Sequence, residues 1–541
     1  MFIQTTTPHS SFMPFKCSNP ISSFSISQHW CRIYMTGRFH KFQQNYLRGM
    51  PNNFEITPLH DRTPLNEATI NGQDQLVLQT NKSAKEIFDE RFKDLNKWST
   101  KSCTIFKVNA GLRRSNSDAY TPLLISIGPY HKKNPQLCSM ENYKLRYLQR
   151  FLQRNKKFDV ESYIRELEKL KDEVLKCYDD KVELGSYTCS QFLEMLLLDG
   201  CFVVEYLREV FKIFPEGEDR IINADWMVNL IDRDLLLLEN QLPFLVLTKL
   251  HDMTKYPTES FIKMVKYNFC GSLPRVTPKF LNEANGNVKG IKHLLQVVHM
   301  CGTGRPEKPY SLTFELELVP KDANLWHDLM RSATELDEAG INFSKVSEIY
   351  RMLGEDNEGD STSLFDIKFD YRRMKIPCFD YGSVKIPCFN HGRMKIPCFE
   401  VVNGTETVLR NLVACEQHSS DVYTKYFTDY VIFMDRLINS AEDVKLLRLK
   451  GIIRNRIGDD SDVASIFNKL GDGVIPPTNF YYKEECKNVV EHCNKRWNRR
   501  MANLRHNYFN GPWVGLSTAA AVFLLVLTLM QTVLTFISTL K

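Results

Sequence analysis

The C-terminal segment constrains this chain more than any other feature, because it contains a long stretch without charge. No charged residue occurs from Asn507 to Leu540, and about 20 apolar residues are enough to cross the hydrocarbon core of a bilayer. A buried helix of a soluble domain would normally show a polar stripe, which this stretch lacks. The sequence therefore predicts a transmembrane helix over residues 512–540. Its expected anchoring side chains are an interfacial Trp513 and, within the hydrocarbon, Phe523, Leu524 and Leu527.

A basic cluster lies immediately before this segment, whereas only Lys541 follows it. Because positively charged flanks stay on the cytoplasmic side, the preceding body is expected in the cytoplasm, with the plasma membrane as the favoured location. The cluster could also lie against anionic headgroups, although a role in setting topology is favoured. Its members are Lys495, Arg496, Arg499, Arg500 and Arg505.

The first 102 residues are predicted to be a mostly disordered leader with one helix near 83–98. Residues 1–54 carry five Lys or Arg and no acid, and the leader begins rich in Ser, Thr and Phe. This composition is typical of an organelle transit peptide. A disordered leader, or an upstream extension of the reading frame without function, is favoured, and an organelle membrane is the alternative location.

Charge and cysteine content argue against two classes of protein. The net charge of +6 comes from the two ends, and the remainder carries about −5, which argues against nucleic-acid binding. Fifteen cysteines in 541 residues are too dilute for a disulfide scaffold. Free, mostly buried thiols in a reducing compartment are therefore expected.

The body, residues 103–506, is predicted to be mainly α-helical. Over residues 139–178, charged side chains alternate on the side away from the apolar positions, and they are expected to form a solvated helix face. The stretch 190–211 is apolar nearly all round, which predicts a buried core helix. Helical spacing returns after Thr405 and continues to the basic cluster.

A polar triplet interrupts the apolar stretch 230–250. Glu239, Asn240 and Gln241 stand just before Pro243, which lacks a backbone donor and breaks a helix. The Asn and Gln side chains can satisfy the backbone groups that such a break frees. A buried triplet could instead form a cradle for a ligand, but a packed kink is favoured.

A small β element is predicted within about 341–400, because apolar and charged residues alternate from Phe365 to Phe369. A repeat follows at 373–399, in which Lys-Ile-Pro-Cys-Phe occurs three times at intervals of ten residues. Since proline lacks a ladder donor, the copies are expected at sheet edges or bulges.

The repeat also contains candidate ligands for a metal. Cys378, Cys388, Cys398 and His391 are residue types that hold zinc. Structural zinc sites usually bring ligands in tight pairs such as Cys-x-x-Cys, whereas each cysteine here comes with its copied unit. A tolerated duplication is favoured over an interaction surface, and both are favoured over a metal site.

No catalytic or cofactor motif stands out elsewhere in the sequence. Neither Gly-x-Ser-x-Gly nor His-Glu-x-x-His occurs. Cys201 beside Asp199 could act as a nucleophile, but in so apolar a helix it is expected to be packed and inert. Cys486, His492 and Cys493 are spaced as the core face of a helix. The sequence therefore predicts no catalytic residue and no cofactor.

Eight motifs stand in order along the chain: SIGPYH (126–131), MENYKLRYL (140–148), LLLDGCFVVEYL (196–207), DLLLLENQLPF (234–244), ATELDEAGINF (333–343), TETVLRNLVACEQ (405–417), GIIRNRIGDD (451–460) and YFNGPW (508–513). Together they resemble a plant-specific family known as domain of unknown function 247. The resemblance covers residues 103–540. It implies a mainly helical, tail-anchored membrane protein with a single Lys-Ile-Pro unit and no established catalytic residue or cofactor. Some members are associated with pollen–stigma self-recognition and stress signalling.

These features favour a non-enzymatic, membrane-anchored plant protein that acts through protein–protein interaction in signalling or recognition. Its expected partners are the lipid bilayer and an unidentified protein, and nucleic acid is not expected. One alternative is an enzyme whose dispersed active site has no recognisable spacing. The other is an organelle-targeted membrane protein that uses its first 50 residues.

Overall fold

The computed structural model describes most of the chain from Cys103 onward, and these residues belong to one unit spanning 82–541. Of the leader predicted over 1–102, five described residues precede Cys103, and all are helical: Lys85, Glu86, Phe88, Asp89 and Phe92. The rest of the leader lies outside the described residues. From Cys103 the described ranges are 103–179, 184–213, 220–256, 259–269, 290–303, 330–346, 363–373, 390–419, 422, 424–477, 479–496, 498–500, 502–503 and 512–539.

The first half of the body is helical. Short 3₁₀ turns at Asp118–Tyr120 and Pro135–Met140 connect its first two helices. The helices are α1 (Ala110–Ser115), α2 (Glu141–Arg154), α3 (Val160–Glu168), α4 (Lys171–Lys176), α5 (Cys189–Val210), α6 (Asp225–Asp234), α7 (Phe244–Thr254), α8 (Phe261–Phe269) and α9 (Leu294–Thr303).

Helix α5 lies at the centre of this half. A capping box starts it: the Thr188 hydroxyl accepts the Gln191 N–H, and the Gln191 side chain accepts the Thr188 N–H. Nearly every residue from Phe192 to Glu209 is buried, as the apolar sequence predicts. Gly200 allows α7 to pack closely, because a Cβ at this position would collide with Leu250 Cδ1.

The apolar stretch 230–250 is divided between α6 and α7. Residues 235–243 between them are not helical, so the break is longer than the kink that the sequence predicts. Pro243 takes the N-cap position of α7, where its missing N–H removes no helical hydrogen bond.

The second half combines helices with short strands, and it ends in a long apolar helix. The predicted mainly helical fold with a small β element is therefore confirmed. The elements are α10 (Ala333–Glu338), β1 (Ile341–Lys345), β2 (Lys368–Arg373), β3 (Asn390–Ile396), β4 (Phe399–Val401), α11 (Thr405–His418), α12 (Tyr426–Leu437), α13 (Ala441–Leu449), β5 (Ile453–Asn455), α14 (Asp460–Leu470), α15 (Lys483–Asn494) and α16 (Pro512–Thr539).

The third copy of the repeat forms strand β3. The sheet order is β1–β3–β2, with β1 parallel and β2 antiparallel to β3. The predicted edge position is wrong for this copy, because β3 is central and its Met394 and Ile396 are fully buried. Pro397 lies one residue beyond the strand and so removes no ladder bond. Residues 374–389, which contain the whole Lys-Ile-Pro-Cys-Phe units of the first two copies, lie outside the described residues.

Deleting residues 374–383 should leave the protein folded and raise its free energy of unfolding by about 0.9 kcal/mol. The connection between β2 and β3 would shorten from sixteen residues to six, and the entropy of loop closure scales with the logarithm of loop length. Equilibrium unfolding of the full chain in detergent, followed by circular dichroism, measures the difference.

Deleting residues 390–399 is the matched control, because the second copy can then take the place of β3. Ser383 and Val384 would stand where Arg393 and Met394 stand, so a surface ion pair is lost and a small cavity is left. This deletion shortens the connection by the same ten residues, so relative to the first variant we expect a loss of about 1–2 kcal/mol. Failure of either variant to fold would show that the copies are not redundant.

Candidate functional site

The segment 235–243 carries buried polar side chains that contact backbone groups. Asn240 donates to the carbonyls of Ile125 and Asp234 at 3.0 and 2.9 Å, and its Oδ1 accepts the Ile127 N–H at 2.7 Å. Asn240 is almost completely buried. A single amide thus holds the end of α6 against the loop that precedes α2.

Gln241 makes a second set of such contacts. Its Nε2 donates to the carbonyls of Leu235 and Leu237 at 2.7 and 2.8 Å. Its Oε1 accepts the Leu295 N–H of α9 at 3.3 Å, and its own carbonyl accepts the Tyr178 hydroxyl at 3.0 Å. The amide groups of Asn240 and Gln241 therefore bond protein groups, which favours a structural tie over a ligand cradle.

Glu239 extends the tie to the start of the body. It accepts the Val108 N–H at 2.6 Å and Arg113 Nη2 at 2.5 Å, and His131 Nε2 lies 3.2 Å from its other oxygen. Burial alone would raise the pKa of Glu239. The nearby His131 imidazole and the hydrogen bonds from Arg113 and the Val108 amide outweigh burial and lower this pKa, so the carboxylate is charged at neutral pH.

Helices α2 and α5 are joined by a buried ion pair between Lys144 and Asp199. Lys144 Nζ lies 2.6 Å from Asp199 Oδ1 and also donates to the Ser126 carbonyl at 2.6 Å. The other Asp199 oxygen accepts the Gly128 N–H at 2.9 Å. Both side chains are 0% exposed. Burial opposes the charge of Lys144, but Asp199 and Glu141 outweigh burial and raise its pKa, so the lysine is charged at neutral pH.

A larger buried network lies further along the same two helices. Glu205 accepts two bonds from Arg154, at 2.6 and 2.9 Å, and one from Arg208 at 2.7 Å. Arg208 Nε also donates to Glu259 at 2.6 Å. Although burial opposes it, the nearby His251 imidazole and the hydrogen bonds from Arg208 lower the pKa of Glu259 to about 2. The network therefore links α2 and α5 to the residues before α8.

These contacts correct the prediction for residues 139–178. The sequence predicts a solvated charged face, but Lys144 and Arg150 are buried, and Arg150 Nη1 lies 2.7 Å from Glu209. The cations share about a third of the circumference of α2 with the buried Tyr147. The sequence of α5 does contain a sign of this pairing. Charged residues inside an apolar helix are almost never fully buried unless they are paired, so the charged residues of α5 require partners on another element.

The thiol in the same helix has no free activating group. Cys201 is completely buried, and burial raises its pKa well above the ordinary value. Asp199 is bonded to Lys144 and the Gly128 amide. Cys201 is therefore packed in the core, as expected, and a thiol with so high a pKa is a poor nucleophile.

Buried polar groups also link the two halves of the body. Asn411 of α11 accepts the Leu238 N–H at 2.9 Å and donates to the Ala119 carbonyl at 2.8 Å. Glu416, five residues further along the helix, lies 2.8 Å from His299 Nε2 and accepts the Thr428 N–H at 2.8 Å. Helix α11 is therefore fixed to both halves through side chains that no pattern in the sequence singled out.

Asp429 of α12 differs from these paired carboxylates. It is completely buried, and burial raises its pKa to about 8. The Tyr481 N–H donates to Oδ2 at 2.9 Å, whereas Oδ1 has no hydrogen-bond partner among the residues that the structure describes. The carboxyl group is therefore largely protonated at neutral pH in the folded state.

Replacing Asp429 with Asn should remove a pH dependence of stability. The folded protein keeps a proton that the unfolded chain releases near pH 4, so the wild type loses up to about 1.4 kcal/mol per pH unit between about pH 4 and pH 8. We expect Asp429→Asn to be more stable than wild type at pH 8 and not at pH 4.5. Thermal unfolding of both proteins in detergent across this pH range measures the difference in stability. If the stabilities of the two proteins change with pH in parallel, the raised pKa does not belong to Asp429.

The residues proposed from the repeat do not form a metal centre in the described part of the chain. No group of three or more His, Cys, Asp or Glu side chains able to hold a metal ion occurs among the described residues. Cys378, Cys388 and the side chain of His391 lie outside them, and Cys398 is half-buried. The metal hypothesis therefore gains no support.

Cys486 and Cys493 of α15 lie on a buried helix face with His492. All three residues are at most 2% exposed. Burial raises the pKa of the two thiols to about 12 and about 11. They form part of the core, as the heptad spacing predicts.

Helix α16 contains a span, Leu516–Thr539, that is long and apolar enough to cross a membrane, with mean hydropathy 2.3 and no burial. Phe523, Leu524 and Leu527 are exposed, whereas the side chain of Trp513 is outside the described residues. Hydroxyls bond back to their own helix: Thr518 donates to Val514, Thr532 to Thr528 and Thr535 to Gln531. These bonds satisfy polar groups that lipid could not.

The basic cluster before this helix is exposed where it is described. Lys495, Arg496, Arg499 and Arg500 are all exposed, and Arg505 lies outside the described residues. Among the described residues, no carboxylate lies within ion-pair distance of these four cations. Their charge therefore faces solvent or whatever surface lies next to the body.

Comparisons with known proteins agree with the resemblance found in the sequence. A model of the family domain of unknown function 247, described as "Plant protein of unknown function", matches residues 105–527. UPF0481 protein At3g47200 of Arabidopsis thaliana is 30% identical, covering 81% of this chain and 87% of the relative. Putative UPF0481 protein At3g02645 of the same plant is 26% identical, covering 79% and 89%. No solved structure matches. The chain therefore belongs to the plant family of domain of unknown function 247.

Proposed function

We propose that this protein is a non-enzymatic, single-pass protein of the plasma membrane whose helical body acts in the cytosol through contact with another protein. In this proposal α16 is the anchor, and the body takes part in signalling or recognition. The observation that carries the proposal is the span Leu516–Thr539, whose apolar side chains are uncovered.

An uncovered apolar helix of this length favours a lipid environment. Its 24 residues match the roughly 20 that are needed to cross a hydrocarbon core. Soluble proteins rarely expose so large a contiguous apolar surface. Insertion into a bilayer covers the surface, and the back-bonded hydroxyls reduce the cost of the polar interruptions.

The charges that flank the helix support the orientation. The exposed cations from Lys495 to Arg500 precede it, and no acidic residue follows Glu491 in the sequence. Such a distribution holds the basic side in the cytosol. The body then lies in a reducing compartment, which suits the free cysteines that the structure describes.

The chemistry of the described body supports interaction rather than catalysis. Its buried carboxylates at Asp199, Glu205 and Glu239 are bonded to cations and backbone amides. These charged groups hold helices together. A binding function needs only a stable surface, which such a body provides.

Fractionation and protease protection of the full chain in plant cells test the proposal. We expect the protein to stay with membranes in alkaline carbonate and its body to be digested only after the plasma membrane is opened. Proximity labelling from the N-terminus should then mark cytosolic proteins at the plasma membrane. Recovery in the soluble fraction without detergent would refute the anchor, and digestion from outside sealed cells would refute the orientation.

A further inference from the structure

The four described cations before the anchor form a surface that the ion pairs of the body do not neutralise. Lys495, Arg496, Arg499 and Arg500 are exposed, and the described residues place no carboxylate within ion-pair distance of them. We call these four residues the basic surface. Exposed cations elsewhere often do have such partners, among them Arg448 with Asp460, Arg456 with Glu400, and Lys169 with Glu166.

The basic surface starts from a fixed point of the body. Lys495 Nζ lies 4.6 Å from the centre of the Tyr371 ring of β2, a cation–π distance. Tyr371 and Phe369 also pack against the ring of His492, with centroids 5.7 and 5.9 Å apart. The first cation is therefore held against the folded sheet instead of moving with a free tail.

The chain keeps the basic surface close to the proposed anchor. Only residues 501–511 separate Arg500 from Pro512, the first residue of α16. Even fully extended, this connection spans no more than about 40 Å, and a helical connection would span about 18 Å. The connection therefore keeps the four cations within about 40 Å of the proposed anchor.

We propose that the basic surface binds anionic phospholipid headgroups of the cytosolic leaflet, so that the body lies against the membrane that anchors it. The inference rests on the proposed anchor and orientation. Each Lys or Arg near an anionic leaflet strengthens attachment about fivefold, and the attraction falls off within about 10 Å. A membrane is favoured over an acidic protein because the connection already supplies it at close range.

Photocrosslinking of the full chain in nanodiscs tests the inference. The discs contain phosphatidylcholine with about 30% phosphatidylserine, and either lipid carries a photoreactive headgroup in turn. We expect the phosphatidylserine probe to label peptides covering residues 495–503 at least about fivefold more than the phosphatidylcholine probe. High salt should remove the excess. Equal labelling by the two probes, or labelling confined to other surfaces, would overturn the proposal.

Two variants that lose the same amount of charge distinguish lipid binding by the basic surface from a general effect of the protein's net charge. Replacing Lys495, Arg496, Arg499 and Arg500 with Gln should abolish the excess labelling. Replacing four exposed cations elsewhere should leave it unchanged; these are Lys156, Lys157, Arg165 and Lys169. If the first variant keeps its lipid labelling but loses a neighbouring protein in proximity labelling, the surface binds protein and the lipid proposal is wrong. If neither the wild type nor the variants enter the nanodiscs, the proposed anchor is refuted instead.

Discussion

Replacing Lys144 with Met should lower the free energy of unfolding by about 3–5 kcal/mol, because it leaves a buried carboxylate without its cation. Asp199 is 0% exposed, and apart from Lys144 Nζ it accepts the Gly128 N–H. The Ser126 carbonyl would lose its donor as well. Chemical unfolding of the full chain in detergent measures the loss, and the slope of the transition shows whether the native state stays compact.

The same substitution at Lys169 is the matched control. Lys169 also forms an ion pair, with Glu166 at 2.5 Å, but its side chain is 68% exposed. Exposed pairs contribute about 0–1 kcal/mol, so Lys169→Met should change stability by less than about 0.5 kcal/mol. If the two substitutions lower the free energy of unfolding by similar amounts, burial of the Lys144 pair does not increase its contribution to stability.

A double substitution distinguishes the loss of the ion pair from the penalty of leaving one buried charge unpaired. In Lys144→Met with Asp199→Asn, neither group is charged, and the Asn oxygen can still accept the Gly128 N–H. The double variant should therefore recover at least about 2 kcal/mol of the loss seen in Lys144→Met alone. No recovery would mean that the lysine acts through packing instead of through its charge.

The sequence identifies the core helix α5 but not the charges that it buries. Hydrophobic periodicity marks which residues leave water, and it does so correctly from Phe192 to Glu209. It assigns every cation of α2 to solvent, because a single helix gives no sign of a partner on another. The pairing of Arg150 with Glu209 depends on how two helices are aligned in space, which is a tertiary property.

The repeat shows the same limit in a strand. Its prolines argue for an edge position, since a proline in a central strand removes a ladder bond. The structure keeps the copy central by ending β3 at Ile396, one residue before Pro397. Composition predicts that a strand is present, whereas the pairing of the strand with its neighbours decides which residue ends it.

Glu416 shows the same limit in a helix. Its partners His299 and Thr428 lie far apart in sequence, so the sequence alone does not predict that they meet.

Replacing both Leu524 and Leu527 with Arg should release the protein from membranes. The two residues lie near the middle of the span Leu516–Thr539 and are exposed. An Arg at the centre of a membrane helix costs about 2.5–3.5 kcal/mol, whereas each Leu, Ile, Phe or Val gains only about 0.3–0.6 kcal/mol. Two central charges therefore cancel most of the insertion energy that the apolar residues supply. Carbonate extraction of membranes from plant cells measures the released fraction.

Placing the same two charges at the ends of the span is the control. Arg at Leu516 and Ile537 adds equal charge and removes two apolar side chains, but long cationic side chains near a helix end can extend to the interface. This variant should stay in the membrane fraction. If instead both variants are released, net charge alone decides the outcome. If both are retained, the helix does not cross the hydrocarbon core, because only a spanning helix makes the cost of a charge depend on its depth.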